Sequence, residues 1–524
     1  MPGVKSIALN GLVALSSVSA LAAQKPLYND DLDGLSLPPY QPYNTDLSKL
    51  PLVETEALQA KITGDWLSKG ARNLYKIARS SEEEYGRPTR VIGSRGHYRT
   101  IAYIRAQLQP LKWYYEIYSQ PFSAVSGNIF EWRLVLDKEV PKDATPMGLT
   151  PPTKNKEPVN GNLIRVENVG CDAKDYPKEV AGNIAFIKRG TCPFGTKSEL
   201  AGKAGAVAAI VYNNENGPVA GTLGTPTPDH VATFGLPGEE AKKYLDRLEN
   251  NDTVPATAYI DAVVEEVKTY NVIAQTRGGD QDNCVMLGAH SDSVGEGPGI
   301  NDDGSGTISL IEVARHLSNF KVNNCVRFAW WSAEEEGLLG SDHYVANLSP
   351  EENKKIRLFM DYDMLASPNF AYQVYDARDK VNPVGSQALR DLYVDWYTKH
   401  GLNYTFIAFD GRSDYDGFIR HGIPAGGIAT GAEGIKTESE AAAFGGEAGV
   451  PYDVCYHLLC DNVQNVNLTA WEVNTRLVAH SVAQYAVSFE GFPERTLESI
   501  NLAAADDRES YEKKTKYHGS KLFI

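Results

Sequence analysis

Three short apolar runs each end on an acid or an imidazole, and this pattern restricts the fold more than any other feature of the chain. Residues 284–289 run into His290, Ser291 and Asp292. Residues 325–331 run towards Glu334, Glu335 and Glu336, and residues 356–362 run into Asp363. Continuous apolar runs of this length are characteristic of strands buried on both faces. From 271 to about 492 they alternate with helical patterns, which predicts an α/β unit with a mostly parallel central sheet and helices on both faces. In such sheets ligands bind outside the carboxyl ends of the strands, where all three polar groups fall. The glycine-rich stretch 297–306 opens a helix over 307–317 and can hold Asp302 close to His290.

Composition narrows the function classes. A chain of 524 residues has room for two to four domains, and 42% hydrophobic with 23% charged residues is ordinary for a globular protein. This excludes a largely disordered chain, a collagen-like repeat and a polytopic membrane protein. The 67 acidic and 51 basic residues leave a net charge of -16, which repels a phosphate backbone, so no nucleic-acid partner is expected.

The first segment bears on the compartment. Lys5 precedes a mostly apolar run, 7–21, and Ala20-Leu21-Ala22 supplies a small-residue cleavage site, so 1–22 reads as a secretory signal peptide. No other stretch reaches about 18 apolar residues, so no membrane anchor is expected after its removal. The expected destination is secretion, with the vacuole lumen as the alternative. Asn251, Asn347, Asn403 and Asn467 head glycosylation sequons, the second weakened by Pro350.

Along the mature chain, 23–45 reads as an extended lead-in or propeptide. Residues 58–108 are helical in pattern, with a separate helix over 96–108, and 113–122 alternate as a strand. The block 125–265 has its own character, with strands over 184–187 and 208–214 and a helix over 197–206. A helix is expected over 470–488, and 493–524 as a charged tail. The organisation is then 46–124 and 266–492 as one domain, with 125–265 inserted into it.

Five residues recur in an order that suits metal chemistry: His290, Asp302, Glu335, Asp363 and His457. Zinc takes imidazole and carboxylate ligands from a rigid frame, and a close pair of zincs needs a bridging carboxylate. One zinc can take His290 and Asp363, the other Glu335 and His457, with Asp302 shared. Asp292 is placed to orient the His290 ring. Singly these are weak signals, since acids beside glycines mostly make turns. His316, His343 and His480 lie in helical stretches and read as structural, whereas His97 and His230 have no companion motif.

The motifs resemble two known families. Phe186-Ile187-Lys188-Arg189-Gly190-Thr191-Cys192-Pro193-Phe194 and Ile210-Val211-Tyr212-Asn213-Asn214 look like a protease-associated (PA) domain. Gly288-Ala289-His290-Ser291-Asp292-Ser293, Gly299-Ile300-Asn301-Asp302-Asp303-Gly304, Trp331-Ser332-Ala333-Glu334-Glu335, Asp361-Tyr362-Asp363-Met364 and Gly411-Arg412-Ser413-Asp414 resemble the co-catalytic two-zinc aminopeptidases. Asp361 departs from that pattern, which usually has asparagine there. The resemblance implies the zinc exopeptidase fold with an inserted β-rich PA domain, two zinc ions per chain, and peptide substrates with a free N-terminus. By the same resemblance the metal ligands are His290, Asp302, Glu335, Asp363 and His457. Glu334 is then the general base, Tyr456 stabilises the oxyanion, and Arg412 organises the substrate end. A hydrophobic first residue such as leucine and a monomeric chain are expected.

The expected cysteine pairs are Cys171–Cys192, Cys284–Cys325 and Cys455–Cys460, one of many connectivities that six cysteines allow. Two rival readings stand beside the aminopeptidase. One is a PA-containing zinc carboxypeptidase. The other is a binding protein on the same fold, which the complete ligand set disfavours.

Overall fold

The computed structural model describes residues 46–495, positions 218 and 220 excepted. The expected signal peptide, the lead-in and the tail from 496 onward lie outside the described residues. Thirteen strands fall in chain order: β1 Tyr115–Leu136, β2 Thr145–Pro146, β3 Val159–Arg165, β4 Ile184–Lys188, β5 Ala208–Tyr212, β6 Thr233–Leu236, β7 Pro255–Thr276, β8 Asp280–His290, β9 Asn324–Trp331, β10 Ile356–Tyr362, β11 Gln373–Tyr375, β12 Thr405–Ile407 and β13 Ala425–Ala429.

The central strands β9, β8, β10 and β13 are parallel neighbours, as the apolar runs predict. Antiparallel pairs flank them: β7 on β9 at one side, β11 on β13 at the other. Alternation along the strands builds two cores. Val285, Leu287, Phe328, Trp330, Leu358 and Met360 face one core, under the helices Gly64–Ala78, Gly304–Leu317 and Leu468–Val487. Met286, Ala329, Trp331 and Phe359 face the other, with Tyr344 and Phe418 stacked on it. This is the expected α/β architecture with both faces covered.

The segment read as a strand over 113–122 is the start of something longer. β1 and β7 are each 22 residues long and pair antiparallel almost throughout, from Tyr115 opposite Thr276 to Leu136 opposite Ala256. The expected boundaries at 125 and 265 fall inside these two strands, so the second unit grows out of an unbroken ribbon. Beyond it, β3, β4, β5 and β6 form a parallel set with its own buried clusters around Phe186, Ile210 and Phe234 and around Ile187, Val211 and Val180. Its helices, Phe194–Lys203 and Gly238–Glu249, complete an α/β layer, so this unit is less purely β than its motifs imply. All three expected disulfides are present: Cys171–Cys192, Cys284–Cys325 and Cys455–Cys460.

Candidate metal centre

The parallel strands deliver the site. His290 is the last residue of β8, Asp363 follows β10, and Glu334 and Glu335 lie on the turn after β9. Asp302 sits just ahead of the helix Gly304–Leu317, whose start approaches β10 so closely that a Cβ on Gly306 would lie 2.0 Å from the Tyr362 carbonyl oxygen. His457 comes from the loop closed by Cys455–Cys460. Three residues here, Ala333, Met364 and His457, have left-handed φ, at 61°, 53° and 56°. Residues without the freedom of glycine hold that conformation at a cost, and such positions cluster at functional sites.

Asp302 lies between the two imidazoles. Its Oδ1 is 3.0 Å from His290 Nε2 and its Oδ2 is 3.1 Å from His457 Nε2. Glu335 Oε2 is 3.1 Å from the same His457 nitrogen. Asp363 Oδ1 and Glu334 Oε2 lie 3.7 and 4.0 Å from His290 Nε2. The arrangement therefore has two lobes, His290 with Asp363 and His457 with Glu335, sharing one carboxylate.

The electrostatics show a cluster built for extra positive charge. Burial presses the His290 imidazole towards neutrality, but Glu334, Asp292, Asp302 and Asp363 outweigh it and hold the pKa well above the ordinary value. Burial, followed by Glu335 and Asp302, does the same at His457 with the carboxylates again prevailing. Burial and the neighbouring Glu335 push Glu334 well up, against the opposing pull of His290. Several inward-facing atoms remain unpaired: Glu335 Oε1, Asp363 Oδ1 and His290 Nδ1 are buried without a hydrogen-bond partner. Buried carboxylate and imidazole atoms are rarely left so, and coordination of a cation would satisfy them.

The other expected residues fall around this cluster. Asp292 accepts hydrogen bonds from the backbone N–H of Glu334 and of Glu335, both at 3.3 Å, while its carboxylate stands 3.7 Å from His290 Nδ1. It thus fixes the acidic turn directly and touches His290 only at ion-pair range. The Tyr456 ring stacks on His457 with centroids 3.8 Å apart. Arg412 donates to Glu433 Oε1 at 2.8 Å on the half-exposed rim. Asp361 is fully buried, accepting from the Tyr415 N–H at 3.2 Å, and burial together with Asp363 raises it to about 7.

Five further residues hold this geometry without a role assigned from the sequence, although Asp303 and Ser413 stand inside motifs that carry the resemblance. Asp303, joined to Asp302 by a cis peptide, accepts from the N–H groups of His290, Gly306 and Met364 at 3.1, 2.8 and 3.2 Å. It ties together the end of β8, the start of the helix Gly304–Leu317 and the turn after β10. Asp461 accepts from the N–H groups of Asn301 and Asp302 at 2.9 and 3.1 Å, and the Ser413 hydroxyl donates to Asp363 Oδ2 at 2.9 Å. Fully buried Arg90 donates to the carbonyls of Ser291, Pro298 and Gly299. His97 lies 3.2 and 3.0 Å from the hydroxyls of Ser291 and Ser332, on the two strand ends that lead to His290 and Glu334. The N-cap pattern at Ser94, and an arginine in the otherwise apolar-tending 89–92 stretch, were the available signals.

Of the sequons, Asn251 is exposed and its side chain makes no hydrogen bond among the described residues. Asn347 and Asn403 are exposed with their amides donating to the His343 and Ala443 carbonyls. Asn467 is half-buried and caps the helix Leu468–Val487 by accepting from the Ala470 N–H at 3.1 Å.

The comparisons with known proteins agree with this architecture. Residues 271–482 match Peptidase family M28, and residues 159–244 match the PA domain. The chain is 50% identical to aminopeptidase Y of Saccharomyces cerevisiae over 485 residues, covering 90% of this chain and 88% of the yeast protein. It is 43% identical to leucine aminopeptidase 2 of Trichophyton equinum over 456 residues, covering 85% of this chain and 88% of that protein. Among solved structures, an aminopeptidase from Aneurinibacillus sp. strain AM-1 superposes with a TM-score of 0.64 at 26% identity, covering 85% of this chain and 97% of the other. With strand ends, candidate centre and relatives in agreement, the chain belongs to peptidase family M28, a family of peptide hydrolases, and carries a PA domain.

Proposed function

We propose that the chain is a zinc-dependent exopeptidase that removes N-terminal residues from peptides, hydrophobic ones such as leucine foremost. The observation that carries this is Asp302, whose two oxygens reach His290 at 3.0 Å and His457 at 3.1 Å. A carboxylate so placed is what a co-catalytic metal pair requires, and imidazole with carboxylate suits zinc. His290, Asp363 and Asp302 would hold one ion, and His457, Glu335 and Asp302 the other. Bound there, zinc would polarise the scissile carbonyl and lower the pKa of a water.

The rest of the chemistry falls to this chain's own side chains. Glu334 is buried beside the centre, and its raised pKa suits a group that accepts a proton from the attacking water and returns it to the leaving amine. The Tyr456 hydroxyl makes no hydrogen bond among the described residues, and burial raises it well above the ordinary range. It is therefore a protonated donor available to a developing oxyanion. Asp292 and Asp303 hold the backbone on which Glu334, Glu335, His290 and Met364 sit. The surrounding acids favour a cationic α-amino group, which supports cutting behind the first residue. Three disulfides fit an oxidising compartment, and we infer secretion or delivery to a vacuole.

A leucine-led tripeptide, free or N-acetylated, tests the reading when products are identified by mass. Release of leucine from the free peptide alone, abolished by a chelator and restored by zinc, is the expected result. Loss of the last residue from both peptides would replace it with a carboxypeptidase, and no cleavage with zinc present would favour a binding role.

A further inference from the structure

Away from the metal centre, the sheet face that carries Ala329 and Trp331 continues through Arg327 across β7 to β1. A cavity of about 330 Å³ lies there, lined among others by Glu116, Tyr118, Gln275, Arg327, Tyr344 and Leu348. That volume is near the lower end of small-molecule sites, about 300–1,000 Å³. The register sets Glu116, Gln275 and Arg327 in one row across β1, β7 and β9.

Arg327 is the unusual member. It is 5% exposed, yet its guanidinium bonds only neutral groups, Gln275 Oε1 at 2.7 Å and the Tyr344 hydroxyl at 2.5 Å, and forms no ion pair among the described residues. Buried arginines are normally paired, because an uncompensated charge is costly to desolvate. Glu352 acts on it through space, but no nearby acid forms an ion pair with it among the described residues. Glu352, also at the cavity, accepts from Lys355 at 2.6 Å. Glu116 stands two strand spacings from Arg327, about 10 Å between backbones, and makes no ion pair among the described residues. The cleft thus has a buried cation at one end, an unpaired carboxylate at the other, and Tyr118 and Leu348 on its walls.

We propose that this cleft is a second, non-catalytic site that binds a free α-amino acid. The ligand carboxylate takes the guanidinium of Arg327 in a charge-assisted pair, its ammonium group faces Glu116, and its side chain lies against Tyr118 and Leu348. A simple anion would satisfy Arg327 but meet repulsion from Glu116 and Glu352, whereas a zwitterion satisfies both ends. The site is distinct from the metal centre, since Arg327 lies in the first half of β9 and the centre lies beyond the carboxyl end of that strand.

Equilibrium dialysis of radiolabelled L-leucine against the zinc-loaded protein tests this by stoichiometry. Two leucines per chain are expected, falling to one in Arg327→Gln. Leucinol and N-acetyl-leucine, each lacking one charge and neither offering an amide bond behind a free N-terminal leucine, are expected to bind the second site at least tenfold more weakly. Glu116→Gln changes an exposed residue, so it tests the ammonium end without endangering the fold, and about a tenfold loss at that site alone is expected. If the metal centre takes no leucine, the counts become one and zero, and the inference stands apart from the peptidase reading. Equal numbers bound by the parent and Arg327→Gln, or affinity unchanged in Glu116→Gln, would overturn it.

Discussion

At the scale of single residues, the proposed chemistry rests on Glu334 and on the groups that hold its neighbours in place. Glu334→Gln keeps the shape and removes the proton acceptor. We expect kcat to fall by roughly 10²–10⁴-fold, the range for general acid–base catalysis, with zinc content and thermal midpoint unchanged. A loss of zinc in that variant would instead make Glu334 a ligand. Asp303 acts differently, since it touches no substrate and accepts three backbone N–H groups. Asp303→Ala strands those donors in a buried site, and at roughly 1–3 kcal/mol for each orphaned group the variant should lose at least about 3 kcal/mol of stability in urea. A variant as stable as the parent would show that the three segments are held by something else.

Among the elements, the helix Leu468–Val487 is joined to the helix Thr55–Gln59 by His480, whose Nδ1 lies 2.6 Å from the Thr55 hydroxyl. Burial, then the charges of Lys399 and His400, lowers His480 to about 4. The unfolded chain therefore binds this proton more readily, beginning near the ordinary value of about 6.5. The stability held by neutral His480 is complete above pH 6.5 and is lost as pH falls towards 4, by about 3 kcal/mol at most. Urea denaturation from pH 7 to 4.5 should fall less steeply in His480→Gln than in the parent, and parallel curves would contradict the assignment.

The same scale explains what the sequence reveals and what it hides. The ends of β8, β9 and β10 are legible because each apolar run and its polar terminus are contiguous, so His290, Glu334, Glu335 and Asp363 announce themselves. Ser413 stands beside Arg412 in a recognised motif, yet its bond to Asp363 depends on a contact across the sheet. Arg90 and His97 are harder, because their partners, Ser291, Gly299 and Ser332, lie 194 to 235 residues away. Asp303 is masked by its neighbour Asp302, since two adjacent aspartates before a helix read as one turn. The length of β1 is hidden for another reason: no residue over 127–133 is buried, so its alternation breaks off midway and does not mark a strand of 22 residues.

At the scale of the whole molecule, the described residues form two cored units joined by the β1–β7 ribbon, with the candidate centre within one of them. Ligand binding stabilises only the unit that binds, by an amount set by concentration over Kd. Calorimetry should therefore resolve a transition that moves down on addition of a chelator and another that does not. A single transition that moves as one would mean that the ribbon couples the units into one cooperative fold.

The sharing of Asp302 between two ions is the central claim, and zinc content per chain after exhaustive dialysis tests it most directly. Two zinc ions are expected in the parent, one in His457→Ala, and fewer than one in Asp302→Ala. One zinc in the parent, unaffected by His457→Ala, would contradict it.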